Sequence, residues 1–293
     1  MVDERDFWIL SELRKNPFLS YETLGRGIGL SGKAVKTRIE SLERTNVLAH
    51  FQAMPAARVF QRHAKLFFFK EPLASLESLG DVIRIDPVIF ATADVNRKTG
   101  VLLYATSASA APSERLLSYL GPVERSVTPL LPHPKRDDTK PILLAELKVL
   151  RELVLNLRAT VKEIANSTRL SYKVAKKVRN QLLNDSLIQV QPIFQSAQSS
   201  QILMCELHVR GDAATVSRIR TNLAHSTFLN QWDDGTIILS MWANSIGEVF
   251  ETERRLKGET GISSAFVKFH ARTMLSTERL TSWIDEEILY AKK

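Results

Sequence analysis

Between Ser171 and Asn184 the sequence carries no acidic residue, and it places Tyr172, Lys173, Lys176, Lys177, Arg179 and Asn180 close together. An earlier stretch is similar, with Lys33, Lys36, Thr37, Arg38, Ser41 and Arg44 following Ser31. Ammonium and guanidinium groups neutralise phosphates, while Arg, Asn, Ser and Thr can hydrogen-bond the edges of bases. Ser31 and Ser171 stand where helix N-caps would stand, which brings backbone N–H groups near a phosphate. The plainer reading of one such stretch is a solvated basic helix face. Its recurrence, capped both times, favours contact with duplex DNA. Arg38, Arg179 and Asn180 are the expected base readers, and the lysines the expected phosphate contacts.

A second set of side chains invites attention. His208 is followed two positions later by Arg210, and His270 by Arg272, in segments that alternate as strands do. Residues two apart on a strand share a face. Other catalytic patterns are missing: no zinc spacing of Cys and His, no P-loop or GxGxxG, and no GxSxG elbow. Asp137-Asp138 and Glu286-Glu287 are adjacent pairs, and neighbours do not face each other on a helix. The expectation is a non-enzyme that needs no cofactor or metal.

Several features of the whole chain bear on what positions these residues. It has 293 residues, 44% apolar and 25% charged, with a net charge of +8. No run approaches the roughly 18 apolar residues of a membrane helix. The start, MVDERDFWIL, lacks a basic signal-peptide n-region. A cytoplasmic protein with no membrane partner is therefore expected. The single Cys205 lies in an apolar run, as a buried core residue would. Residues 1–62 carry ten Lys/Arg against seven Asp/Glu, and residues 140–195 ten against four. The positive excess is thus confined to the segments holding the two basic stretches.

Those segments repeat. A shift of 140 places Phe7–Leu13 on Leu147–Leu153, Ser20 on Thr160, Leu24 on Ile164, Leu30-Ser31 on Leu170-Ser171, Leu42 on Leu182 and Val47-Leu48 on Leu187-Ile188. The matches are apolar positions and caps. Each copy predicts three helices and a wing strand, the first wing over residues 47–54. Asn16-Pro17 ends the first helix, and Gly29-Leu30 forms the turn before the third. This is the helix-turn-helix shape, whose recognition helix enters the major groove.

After each triplet the pattern reads strand–helix–strand–strand–helix–strand. In the first copy the elements are expected at 65–70, 72–79, 88–94, 101–106, 113–119 and 123–130. In the second they are expected at 202–209, 213–224, 228–232, 236–242, 245–257 and 264–270. Asn96–Gly100 and Asp233-Asp234-Gly235 read first as hairpin turns. The predicted fold class is α+β, with two winged helix-turn-helix domains alternating with two ferredoxin-like βαββαβ domains. The expected divisions are 1–62, 63–131, a Pro- and charge-rich linker at 132–140, 141–198, 199–274 and a C-terminal helix over 275–293.

The residues Asp6-x-x-Ile9-Leu10-x-x-Leu13, Gly29-Leu30-Ser31, Arg38-Ile39-x-x-Leu42-Glu43 and Val47-Leu48 resemble the Lrp/AsnC (feast-famine) family of prokaryotic transcriptional regulators. Val149-Leu150-x-x-Leu153, Leu170-Ser171 and Leu182 repeat the likeness. The resemblance implies recognition helices that read DNA. It also implies ferredoxin-like domains that build subunit interfaces, making a homodimer or larger assembly, and an amino acid or similar small effector. Two units in one chain imply a tandem duplication acting as a pseudo-dimer. Siroheme decarboxylases resemble the same domain order and supply the enzymatic alternative, in which His208 and His270, with Arg210 and Arg272, would meet a tetrapyrrole.

Overall fold

The computed structural model describes residues 3–45, 48–130, 141–194, 203–222, 227–243 and 245–291. The expected linker at 132–140, Val47 and the expected boundary at 198–199 lie outside the described residues.

The chain opens with α1 (Glu4–Lys15), α2 (Tyr21–Ile28) and α3 (Gly32–Arg44). Later come α6 (Leu144–Leu155), α7 (Val161–Thr168) and α8 (Tyr172–Asn184). The two triplets have the same lengths, 12, 8 and 13 residues. Their ends are fixed by the same local chemistry. Ser20 and Thr160 accept from the third residue of their helices, and so do Ser31 and Ser171. Each such cap supplies a partner to an N–H that the helix leaves unpaired. One position differs. The turn before α3 uses Gly29 at φ 67°, whereas Arg169 holds the same left-handed backbone at φ 57° before α8. Gly25 is also required, because a Cβ there would lie 2.2 Å from the Leu30 carbonyl oxygen.

The strands after the triplets, β1 (Leu48–Pro55) and β7 (Ile188–Phe194), pair antiparallel with each other, from Leu48↔Phe194 to Pro55↔Ile188. The first wing strand, β1, therefore has its partner in the second unit. The packing crosses over as well: α1 rests on β7, and α6 on β1.

The remaining strands are β2 (His63–Pro72), β3 (Val88–Asp94), β4 (Lys98–Ala105), β5 (Val123–Val127), β6 (Pro129–Leu130), β8 (Leu203–Gly211), β9 (Thr227–Trp232), β10 (Ile237–Ala243) and β11 (Ile262–Leu275). They form one sheet in the order β5-β2-β4-β3-β11-β8-β10-β9-β6. Each half contributes four strands in the 4-1-3-2 order of a βαββαβ unit, joined where β3 meets β11. β5 and β6 are one run of chain broken only at Thr128, so the sheet curls back on itself. Thr128 donates to the Asp233 carboxylate at 2.9 Å and accepts from the Asp233 N–H at 3.0 Å. Phe68 on β2 packs 5.1 Å from Trp232 on β9 across the interior.

Helices α4 (Leu79–Val82) and α5 (Glu114–Leu120) cover the outer face of the first half, and α9 (Ala213–Asn222) and α10 (Ile246–Lys257) that of the second. Helix α4 is short and begins at Leu79, where the helix expected over 72–79 would end. β2 runs on through Pro72, and the Leu73 N–H is held by the Arg97 carbonyl. Cys205 is buried in the second outer core, and its thiol is pushed up to about 12 by that burial. The last helix, α11 (Thr277–Tyr290), buries Leu280, Trp283 and Ile284 against α6. Among the described residues, no helix is long and apolar enough to cross a membrane.

Candidate nucleic-acid interface and the polar interior

On α3, Ser31, Lys33, Ala34, Thr37, Arg38 and Ser41 line one open groove of about 530 Å³. Helical spacing of three and four residues puts them on one face. Lys36 falls off this face and pairs with Glu40 at 3.5 Å. Arg44 is exposed and reaches Ser41 at 3.4 Å. Arg38 is tied down: its guanidinium donates to Asp6 at 2.8 Å and to Asp3 at 3.0 Å. Asp6 is 4% exposed, and Asp3 caps α1. The pair therefore clamps α3 onto α1. The Asp6 hydrogen bond is the main cause of the rise in the Arg38 pKa. In this state Arg38 is an anchor and not the free base reader the sequence suggests.

On α8, Tyr172, Lys173, Lys176, Lys177 and Asn180 are exposed, and Ser171 is the N-cap. No acid lies among them, so this face is more strongly cationic than that of α3. Arg179 departs from expectation. Its guanidinium lies 4.2 Å over the Phe18 ring of the first triplet, and burial lowers its pKa. Arg158 answers with a 5.2 Å stack on Tyr21. These two contacts dock the triplets against each other, each a cation–π pair worth about 0.5–2 kcal/mol. A short sequence window gives no sign of them, because the partners are far apart in the chain.

The histidines do come together, but without their arginines. Glu206, His208, Lys268 and His270 project from β8 and β11 into the curled sheet. The Glu206 carboxylate lies 3.3 Å from His208 Nε2 and 2.9 Å from His270 Nε2. His270 Nδ1 meets the Thr92 hydroxyl at 2.7 Å. His208 is 1% exposed, stacked 4.8 Å from Phe266 and edge-on to Trp232 at 5.5 Å. Desolvation would raise Glu206, yet the two imidazoles hold it far below the usual carboxylate range. Burial lowers His208, whereas for His270 the attraction of Glu206 outweighs burial and raises it. From the last turn of α1, burial lowers the Arg14 guanidinium to about 10 against the raising pull of Glu206.

Arg210 is exposed at the end of its strand. A bulge between His270 and Arg272 breaks the alternation, and Arg272 turns out to the Leu76 carbonyl. The interior thus holds an ionic cluster packed by aromatic rings, and Arg210 and Arg272, the arginines the tetrapyrrole reading pairs with the histidines, stand away from it. Both imidazoles face the Glu206 carboxylate, and the buried Arg14 guanidinium feels the same charge. Sequence alternation could have found Glu206, which shares the His208 face. Lys268 shares the His270 face in the same way.

A winged helix-turn-helix DNA-binding model matches residues 2–48, which form a DNA-binding domain of that class. An uncharacterized HTH-type transcriptional regulator of Pyrococcus horikoshii is 45% identical over 53 residues, covering 18% of this chain and 34% of that one. One of Bacillus subtilis is 31% identical over 71 residues, covering 24% and 51%. The chain thus spans only about a third to a half of the curated relatives it matches. Over its whole length, the fold is similar to the crystal structure of the siroheme decarboxylase NirDL. The TM-score is 0.50 at 14% identity, covering 99% of this chain and 100% of that one. At that identity the likeness concerns the fold alone.

Proposed function

We propose that the protein is a transcriptional regulator of Lrp/AsnC type that binds duplex DNA through α3 and α8 of a single chain. One observation carries the reading. Residues 144–184 reproduce the three helix lengths of the matched DNA-binding domain and the N-caps of its second and third helices, with a more basic third helix. In this reading the chain is a duplicated unit. The β1–β7 pair and the curled sheet take the place of a dimer interface, and further assembly and a small effector accompany it. The exposed lysines of α8 neutralise phosphates, while Asn180 and Thr37 are the candidates for base contacts. The four N-caps leave helix N-termini available to phosphate oxygens.

The test is a fluorescence-anisotropy titration with genomic DNA fragments across salt. If about six to ten phosphates are contacted, affinity falls about 10³–10⁵-fold from 50 to 200 mM salt. Absence of DNA binding at low salt would end the regulator reading. The enzymatic alternative draws support only from fold. Its own test is optical: adding haem or siroheme should give no Soret shift that depends on His208 and His270.

A further inference from the structure

Where the 3₁₀ turn at Ala57–Phe60 leads from β1 into β2, a cleft of about 210 Å³ opens beside Thr128. Its lining is four alanines, Thr128 and four basic residues, Arg58, Arg62, His63 and Lys65, with no acid. The α3 groove, by contrast, is open surface. Two of the four bases are already fixed in place. Arg62 donates to the Tyr104 carbonyl at 3.1 Å and lies 4.1 Å over the Trp283 ring. Arg58 donates to the Asp185 carbonyl at 2.6 Å, at the C-cap of α8. The Arg62 bond occupies one donor of a five-donor guanidinium, and guanidinium geometry suits two-pronged recognition of carboxylate or phosphate.

We propose that this cleft is a binding site for a small anion bearing a phosphate or carboxylate group, and that its occupancy is felt at the end of α8 through Arg58. The volume is about seven water molecules at roughly 30 Å³ each, below the about 300–1,000 Å³ of pockets for drug-sized ligands. The occupant is therefore small. Arg58 and Arg62 are already held by bonds to the fold, which lowers the ordering cost of binding. The link to α8 rests on the reading that α8 meets DNA; the binding site itself does not.

The experiment titrates the full chain with inorganic phosphate, and separately with succinate, at constant ionic strength. Calorimetry reads binding, and the tryptophan emission lost in Trp283→Phe reads the Arg62 neighbourhood. A saturable isotherm with one of the two is expected, and the preferred one identifies the anion class. Combined Lys65→Gln and His63→Gln, both clear of the Arg62 and Arg58 anchors, should weaken it about tenfold or more, the effect of losing a charge-assisted hydrogen bond. No saturable binding of either anion, or the same affinity in the double variant, would overturn the site. DNA affinity is then compared with and without the anion at matched ionic strength. A change supports the link through Arg58, and an unchanged value overturns it. Failure to bind DNA at all would count against the regulator reading, and the isotherm would still decide the cleft.

Discussion

The two helix triplets share lengths and the caps of their second and third helices but are held differently. In α1–α3, Ile9, Leu13, Leu24, Val35 and Ile39 form a cluster of their own. The core of α6–α8 runs on through Val190 of β7 and the β1–β2 link to Leu280, Trp283 and Ile284 of α11. Arg151 adds a two-pronged bond to Asp285, at 2.6 and 3.2 Å. Among the described residues, helix α11 has no counterpart in the first half. The more basic triplet is thus the one that α11 braces. A helix that relies on phosphate contacts gains from being held still, since less freedom is lost on binding.

The largest effect should come from removing that brace. Trp283→Ala deletes a ring packed on Phe60 at 5.4 Å and stacked on Tyr104 at 6.4 Å. It should cost about 3–5 kcal/mol, the usual loss for a buried Trp. Amide exchange should quicken across α6–α8 before α1–α3. Equal quickening in both triplets would break the comparison.

Next comes charge. Replacing Lys173, Lys176 and Lys177 with Gln should lower the salt slope of DNA binding by up to about 2.7, at roughly 0.9 per phosphate. The matching change at Lys33, Lys36 and Arg44 should do less, because Lys36 already pairs with Glu40. Slopes that fall equally would mean the two helices carry equal electrostatic load.

The interior shows a third contrast. The first half lines it with Leu66 and Phe68, and the second with Glu206, His208 and His270. His270 has a raised folded pKa, so its stabilisation is full below about 6.5 and is lost as pH rises through the folded value. Glu206 and His208 have lowered ones. Their contributions are present above the ordinary values, near 4.5 and 6.5, and are lost as pH falls through the folded values. The urea midpoint should therefore decline on the alkaline side, and His270→Gln should flatten that limb. An unaltered alkaline slope would remove His270 from the account.

The smallest effect concerns the turn. Arg169 holds a left-handed backbone that costs a non-glycine residue about 1–2 kcal/mol, and Arg169→Gly should recover up to about 1 kcal/mol after the entropy of glycine is set against it. The reverse change, Gly29→Arg, should destabilise the first triplet by a similar amount. Thermal midpoints read both.

Local chemistry made much of this legible in the sequence. N-caps at Ser20, Ser31, Thr160 and Ser171 act on N–H groups three residues away, so short windows contain the whole interaction. The same holds for the Asp233-Asp234-Gly235 turn and the apolar stripe of α11. Interactions between distant residues escaped. The partner of β1 is β7, the partner of Arg179 is Phe18, and the partners of Arg38 lie on α1. Each takes a basic or polar residue away from the role that its local pattern suggests. Arg210 and Arg272 failed differently, one through a strand end and the other through a bulge that shifts the alternation.

The β1–β7 pair also sets an order of events during synthesis. Its partners lie roughly 140 residues apart, so β1 has emerged from the ribosome long before β7 exists. At about 5–20 residues per second, translation leaves β1 waiting roughly 7–28 s. Throughout that interval the face of α1 that rests on β7 has nothing to rest on. The first triplet thus completes its fold only after the second has been made, and the nascent chain must keep an unpaired strand out of trouble until then.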